Sequence, residues 1–133
     1  MALSYSAALR NAELDAITTA VGNGGKLRIY SGSRPANVAA AITGTLLAEL
    51  TCATPFAAGA SGGVLTVGTV TADSSADNTG TATHFRLWKS DGTTAVMDGN
   101  VGTSGSDLNL SSVSIVATGS VSVTSWTITD GNP

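Results

Sequence analysis

The chain has 133 residues, with 6 Lys+Arg against 9 Asp+Glu, one His, one Cys and a formal net charge of −3. That length accommodates one domain with one core, and six scattered basic residues cannot build the basic stripe that nucleic-acid binding requires. One His and one Cys cannot form a zinc site of soft ligands or an intrachain disulfide, and no apolar run approaches the roughly 20 residues of a membrane span.

The start of the chain has no basic leader before an apolar stretch, so no secretory signal is expected. Charged residues are 11 % of the chain, against about 25 % in an ordinary soluble domain. Ala, Gly, Ser and Thr make up more than half of it. Apolar residues reach 42 %, which argues against disorder. A surface this poor in charge suits a fixed assembly better than a concentrated free monomer.

Residues 6–21 lack Gly and Pro and are rich in Ala. They are predicted to form the one helix, capped by Ser4 or Ser6 and ended at Gly22. Leu9, Ala12, Ala16, Ile17 and Ala20 form its expected apolar stripe, with Glu13 and Asp15 facing solvent. Residues 26–30 alternate as a strand with Leu27 and Ile29 on one face. Residues 31–35 read as a turn, and residues 36–44 as an Ala-rich loop or a single helical turn. Residues 45–52 set Leu46, Ala48, Leu50 and Cys52 against Leu47, Glu49 and Thr51. Residues 55–63 form a loop, and residues 64–72 are β-branched and strand-like.

Residues 81–89 alternate strongly, and Ser90-Asp91-Gly92-Thr93 signals a hairpin back into residues 94–98. Residues 98–107 hold three glycines and are expected to form a long loop. Residues 113–116 and 121–129 are expected to pair as the closing hairpin, with Trp126 in the core. One helix and seven to nine short, regularly spaced strands predict a mainly β fold. The expected form is an antiparallel β-sandwich of jelly-roll or Greek-key type. Residues 1–24 supply the helix and turn, and residues 25–133 the strands, of a single domain.

Candidate chemistry is sparse. His84 is the sole candidate for a physiological general base, but no Gly-x-Ser-x-Gly elbow accompanies it. Cys52 ends an apolar alternation and reads as a small buried hydrophobe. Glu13 and Glu49 are the only Glu residues, on a helix and a strand, and most Asp residues adjoin Gly or Ser in turns. Asp98-Gly99-Asn100 and Ser106-Asp107 could offer oxygens to calcium, but EF-hand spacing is absent and a plain glycine-rich loop is the simpler reading. No catalytic residue, metal site or cofactor is expected.

Alternation places Arg28 and Tyr30 on one strand face, and His84, Arg86 and Trp88 on another. If those strands are neighbours, Arg28, Tyr30, Arg86 and Trp88 form an exposed aromatic–arginine patch, the residue types of interface hot spots. The competing arrangement puts Trp88 in the core and turns Phe85 and Leu87 outward.

The layout of an Ala-rich helix, Leu27-Arg28-Ile29-Tyr30-Ser31-Gly32-Ser33-Arg34-Pro35, Leu46-Leu47-Ala48-Glu49-Leu50, and Phe85-Arg86-Leu87-Trp88 before Asp91-Gly92-Thr93 is distinctive. It continues with Gly102-Thr103-Ser104-Gly105-Ser106-Asp107-Leu108-Asn109-Leu110 and Val121-Ser122-Val123-Thr124-Ser125-Trp126-Thr127-Ile128. Together these resemble small proteins of tailed bacteriophages and prophages, among them head decoration (cement) proteins with a jelly-roll-like fold. The resemblance covers most of the chain and brings no catalytic motif.

The resemblance implies a homo-oligomer, dimer or trimer, on the outer capsid surface of the virion. There it would bridge neighbouring major capsid subunits, with no membrane or nucleic-acid partner. The Ala-rich helix, through Ala8, Ala12, Ala16 and Ala20, would pack within that oligomer or on the capsid. The alternative is a tail, receptor-binding or carbohydrate-binding β-sandwich module. A small hydrolase built around His84 is the third class.

Overall fold

A computed structural model describes residues 3–123 and 125–130. The chain is mainly β with one helix, and its centre is a curled, mixed five-stranded sheet. In chain order the elements are α1 (Ala7–Val21), β1 (Lys26–Tyr30), β2 (Leu46–Thr51), β3 (Val64–Thr66), β4 (Gly80–Thr81), β5 (His84–Trp88), β6 (Ala95–Gly102), β7 (Leu108–Asn109), β8 (Ser114–Ile115) and β9 (Thr127–Thr129). The large sheet runs β2-β1-β5-β6-β7, and β3-β9 and β4-β8 form two-stranded pairs.

Two expectations about strands are corrected here. The sheet is not purely antiparallel, because β7 runs parallel to β6. The tight turn at 103–107 does not reverse the strand direction as a hairpin would. Residues 113–116 and 121–129 also do not pair with each other: β8 joins β4 and β9 joins β3. Local turn chemistry at 117–120 suggested a hairpin, and long-range pairing overrode it. The expected loop 98–107 is shorter than anticipated, since β6 extends to Gly102.

Residues directly opposite across antiparallel strands share a face. The register aligns Leu50, Leu27, Leu87 and Met97 in one row and Ala48, Ile29, Phe85 and Gly99 in the next. These rows form the floor of the core. Gly99 has no side chain because the Phe85 ring occupies the space a Cβ would need. Trp126 meets Phe85 and Phe56 edge-on, with centroids 5.3 and 5.8 Å apart, a favourable aromatic geometry. Trp126 is buried, as its alternation predicts.

The helix begins where expected, with the Ser6 hydroxyl accepting from the Leu9 N–H. Its packed face differs from the expected stripe. Leu14 and Val21 enter the core and Ile17, a member of the expected stripe, packs against it, whereas Leu9, Ala12 and Ala16 are exposed. Polar side chains decide this orientation. Asp15 accepts from the Ala60 N–H (2.7 Å), and Asn11 accepts from the Gly63 N–H (2.9 Å). Arg10 donates to the Asp130 carbonyl (3.1 Å), and its guanidinium fills the space beside Gly63, whose φ of +76° already requires glycine. Asp15 is therefore an anchor and not a solvent-facing charge.

The outer edge of β2 is closed by side chains and a loop. Asp73 accepts from the Glu49 N–H, Asn78 donates to the Leu46 carbonyl, and the Asp77 N–H donates to the Leu47 carbonyl. Such capping blocks edge-to-edge pairing.

Asp15→Ala or Asn11→Ala leaves a part-buried loop N–H without its acceptor, at an expected cost of about 1–3 kcal/mol. Ala12→Lys and Ala16→Lys, on the outward face, should stay within about 0.5 kcal/mol of the wild type. Urea denaturation of the four variants checks both expectations.

Candidate functional site: the charged face of the central sheet

The strand register that builds the core sets the opposite face as well. Glu49, Arg28, Arg86 and Asp98 line up directly across β2, β1, β5 and β6. The order acid, base, base, acid puts each arginine beside a carboxylate. Arg28 Nε lies 2.6 Å from Glu49 Oε2. Arg86 forms a fork on Asp98, with Nε to Oδ1 at 2.6 Å and Nη2 to Oδ2 at 2.9 Å. Both guanidiniums lie over the Trp88 ring, Arg28 at 5.3 Å and Arg86 at 5.5 Å from its centroid, within cation–π range. In the neighbouring row Tyr30 stacks on His84, with centroids 5.4 Å apart.

The structure thus brings Arg28, Tyr30, His84, Arg86 and Trp88 together on one face, with Phe85 and Leu87 in the core. The expected exposure is corrected. Arg86 is 3 % exposed, Tyr30 5 % and His84 0 %, while Arg28 and Trp88 are half-buried. The cover is the β1–β2 connection, residues 31–45, which forms a strap over this face.

The strap is tied down polar group by polar group. The Ser31 N–H donates to the Thr45 carbonyl and closes its base. Thr83 Oγ1 donates to the Gly32 carbonyl (2.6 Å), and Arg86 Nη2 donates to the Asn37 carbonyl (3.3 Å). Arg34 donates to the Asn100 side chain (3.2 Å). Asn37 Oδ1 accepts from the Ala39 and Ala40 N–H groups and shapes the turn. The Ala-rich segment is a loop and not a helical turn. Its composition named no partner, so its role as a cover was not readable from sequence.

His84 is sealed beneath this strap. Its Nδ1 lies 2.9 Å from Thr83 Oγ1. That hydroxyl spends its proton on Gly32, so the ring donates from Nδ1 and leaves Nε2 bare. Burial pushes the imidazole below its ordinary value; Arg86 and Arg34 add to this, and Asp98 and the Gly32 carbonyl oppose it. The Arg86 guanidinium is raised, first by its bonds to Asp98. Burial also raises the Tyr30 hydroxyl, against the nearby Trp88 N–H and Arg28.

The other candidates have structural partners. Burial pushes the Cys52 thiol up to about 11, so it is a neutral thiol at pH 7. Glu13 lies above the usual carboxylate range through a hydrogen bond with Asp130, and Glu49 is engaged by Arg28. Asp98 serves Arg86, and Asp107 accepts from the Asn100 N–H (2.8 Å), so the two carboxylates of the glycine-rich segment have separate partners. Asp91 shapes the β5–β6 turn by accepting from Thr93 and Thr94, which pulls it down to about 2. Among the described residues, no group of three His, Cys, Asp or Glu could hold a metal ion, and no helix is long and apolar enough to cross a membrane. Comparison with protein-family models, curated proteins and solved structures found no match to this chain.

Asp98→Ala strands the Arg86 charge in a buried site and should cost about 3–5 kcal/mol, whereas Arg86→Met with Asp98→Leu should recover most of that loss. Chemical denaturation of the single and double variants measures the difference. The unfolded imidazole takes up a proton near 6.5, and the buried one does so only at lower pH. His84 therefore supports folding fully above 6.5, and that support falls as pH drops towards the folded value. The expected slope is up to about 1.4 kcal/mol per pH unit; it should be lost in His84→Gln and so appear as the difference between the wild-type and variant pH–stability curves.

Proposed function

We propose that this protein is a structural component of a tailed-bacteriophage virion. In this reading it decorates the outer capsid surface and cements neighbouring major capsid subunits as a homo-oligomer, a dimer or trimer. It is made in the host cytoplasm and performs no catalysis. The observation that carries the proposal is the commitment of the reactive side chains. Arg28 pairs with Glu49, Tyr30 stacks on His84 and Arg86 grips Asp98, the last two pairs beneath a pinned strap, and the outward positions of the strap and helix include the small, neutral Ala36, Val38, Ala39, Ala41, Ala12 and Ala16. Such surfaces suit wide, low-energy contacts repeated over a lattice. Of the four residues expected to meet a partner, Arg28 and Trp88 retain accessible surface, while Tyr30 and Arg86 would act by shaping the strap.

The sandwich of jelly-roll type belongs to the same proposal. The β3–β9 and β4–β8 pairs supply a second set of strands besides the five-stranded sheet, and the parallel β6–β7 pair marks a departure from pure antiparallel topology.

One feature favours a second reading, a carbohydrate-binding or receptor-binding tail module. A groove of about 560 Å³ runs between the strap and the β5–β6 turn, with Trp88 in its wall. An indole in a shallow groove is a suitable stacking surface for a sugar.

Copy number in gradient-purified particles tests the proposal. Quantitative mass spectrometry should return a ratio to the most abundant shell subunit near one. A ratio of a few per cent would move the protein to the tail and favour the second reading. Absence from particles would overturn both.

A further inference from the structure

The backbone of β9 is satisfied on one side only. The Val67 N–H donates to the Trp126 carbonyl, and the Asp130 N–H donates to the Gly63 carbonyl. With Leu65 opposite Ile128, residues 126, 128 and 130 address β3. Strand alternation then turns the N–H and C=O of Thr127 and Thr129 to the other edge. The same parity holds on β6. The Val101 N–H donates to the Thr83 carbonyl, and Gly99 and Met97 stand opposite Phe85 and Leu87. Asp98 and Asn100 therefore address the edge away from β5. There the Asn100 N–H is taken by the Asp107 carboxylate, and the Gly102 carbonyl by the Leu110 N–H. The backbone groups of Asp98, Thr127 and Thr129 have no hydrogen-bond partner among the described residues.

These two open edges face one groove. It has a volume of about 480 Å³ and is lined by Asp98 and Met97 on one wall and Thr127 and Thr129 on the other, with Phe85 and Trp126 below. Asp107 stands at one end, where its carboxylate closes β6 and its carbonyl accepts from Trp126 Nε1 (3.1 Å). A second hollow of about 330 Å³ continues past it.

We infer that this groove is an acceptor for an extended polypeptide segment from a partner protein, added as a strand between β6 and β9. Backbone donors and acceptors on both walls call for a ligand that presents the same groups on both of its edges, which is the property of a single unpaired strand. A second copy of the chain meets this requirement poorly. Its β9 already gives one edge to β3, so it could match one wall and leave the other open. The floor of Phe85, Met97 and Trp126 asks for apolar side chains on the inward-facing alternate positions of the segment. The outward positions are free to be polar, and proline is excluded from the central position. This inference does not depend on the virion reading, and copy number in particles does not bear on it.

The test uses the full chain, isotope-labelled, and a panel of acetylated, amidated nonapeptides alternating Val, Ile or Ala with Thr or Lys. Members of the panel should shift the Thr127, Thr129 and Asp98 amides and slow their hydrogen exchange at least about tenfold. N-methylation of the central peptide bond of a binding peptide should abolish the effect without touching the protein. Thr129→Pro removes a groove-facing N–H that the β3–β9 ladder does not use; it should keep Ile128 protected and lose peptide binding. No amide shift up to about 1 mM peptide, binding indifferent to N-methylation, or protection of Thr127 and Thr129 that rises with protein concentration alone would each overturn the inference. The last result would assign the edge to self-association.

Discussion

The Arg86–Asp98 ion pair is the constraint on which much of this structure depends. Both side chains are nearly inaccessible, at 3 % and 2 %, and a charge removed from water must be paired and covered. The pairing comes from register, since Arg86 and Asp98 stand directly opposite on β5 and β6. The cover comes from residues 31–45, held to the same guanidinium through the Asn37 carbonyl. An ordinary antiparallel sheet leaves one face to water. Here one face packs on the apolar core, and the other carries a polar network roofed by a loop.

This economy of charge runs through the molecule. Arg10 and Asp130 tie α1 to the end of β9, Arg28 and Glu49 join β1 to β2, and Asp15 secures the helix to the 60–63 turn. Asp73 closes the edge of β2, Asp91 shapes a turn and Asp107 ends the free run of β6. With many charged groups spent on holding elements together, much of the exposed surface is Ala, Gly, Ser and Thr. Small neutral residues contribute shape and backbone more than specific side-chain chemistry, and this is the feature on which the proposed lattice role rests.

Much of the local architecture was legible in the sequence. The helix limits, the first two strands and the β5–β6 hairpin follow from the spacing of apolar residues, from Gly22 and from Asp91-Gly92. So does the common face of Arg28 with Tyr30 and of His84 with Arg86 and Trp88, because side chains alternate with a fixed period of two. The packed face of α1 was not legible, because an Ala-rich helix has no strong apolar side and Asn11 and Asp15 bind backbone groups some fifty residues away. The partners of β8 and β9 were hidden for a related reason: short strands of Ser, Thr and Ile carry little information about which edge they join.

Sequence alone determined which side chains share a strand face and where the chain must turn, since those properties depend on backbone geometry and neighbouring residues. Tertiary structure alone decided whether each face is open. It set β1 beside β5 and so joined two pairs of residues into one network. It laid an Ala-rich loop across that network and buried Tyr30 and Arg86 of the expected exposed patch, leaving Arg28 and Trp88 partly accessible. It also placed β6 and β9 along one groove. Burial and pairing over long sequence separations depend on the summed packing of the whole chain, and no local pattern encodes that sum.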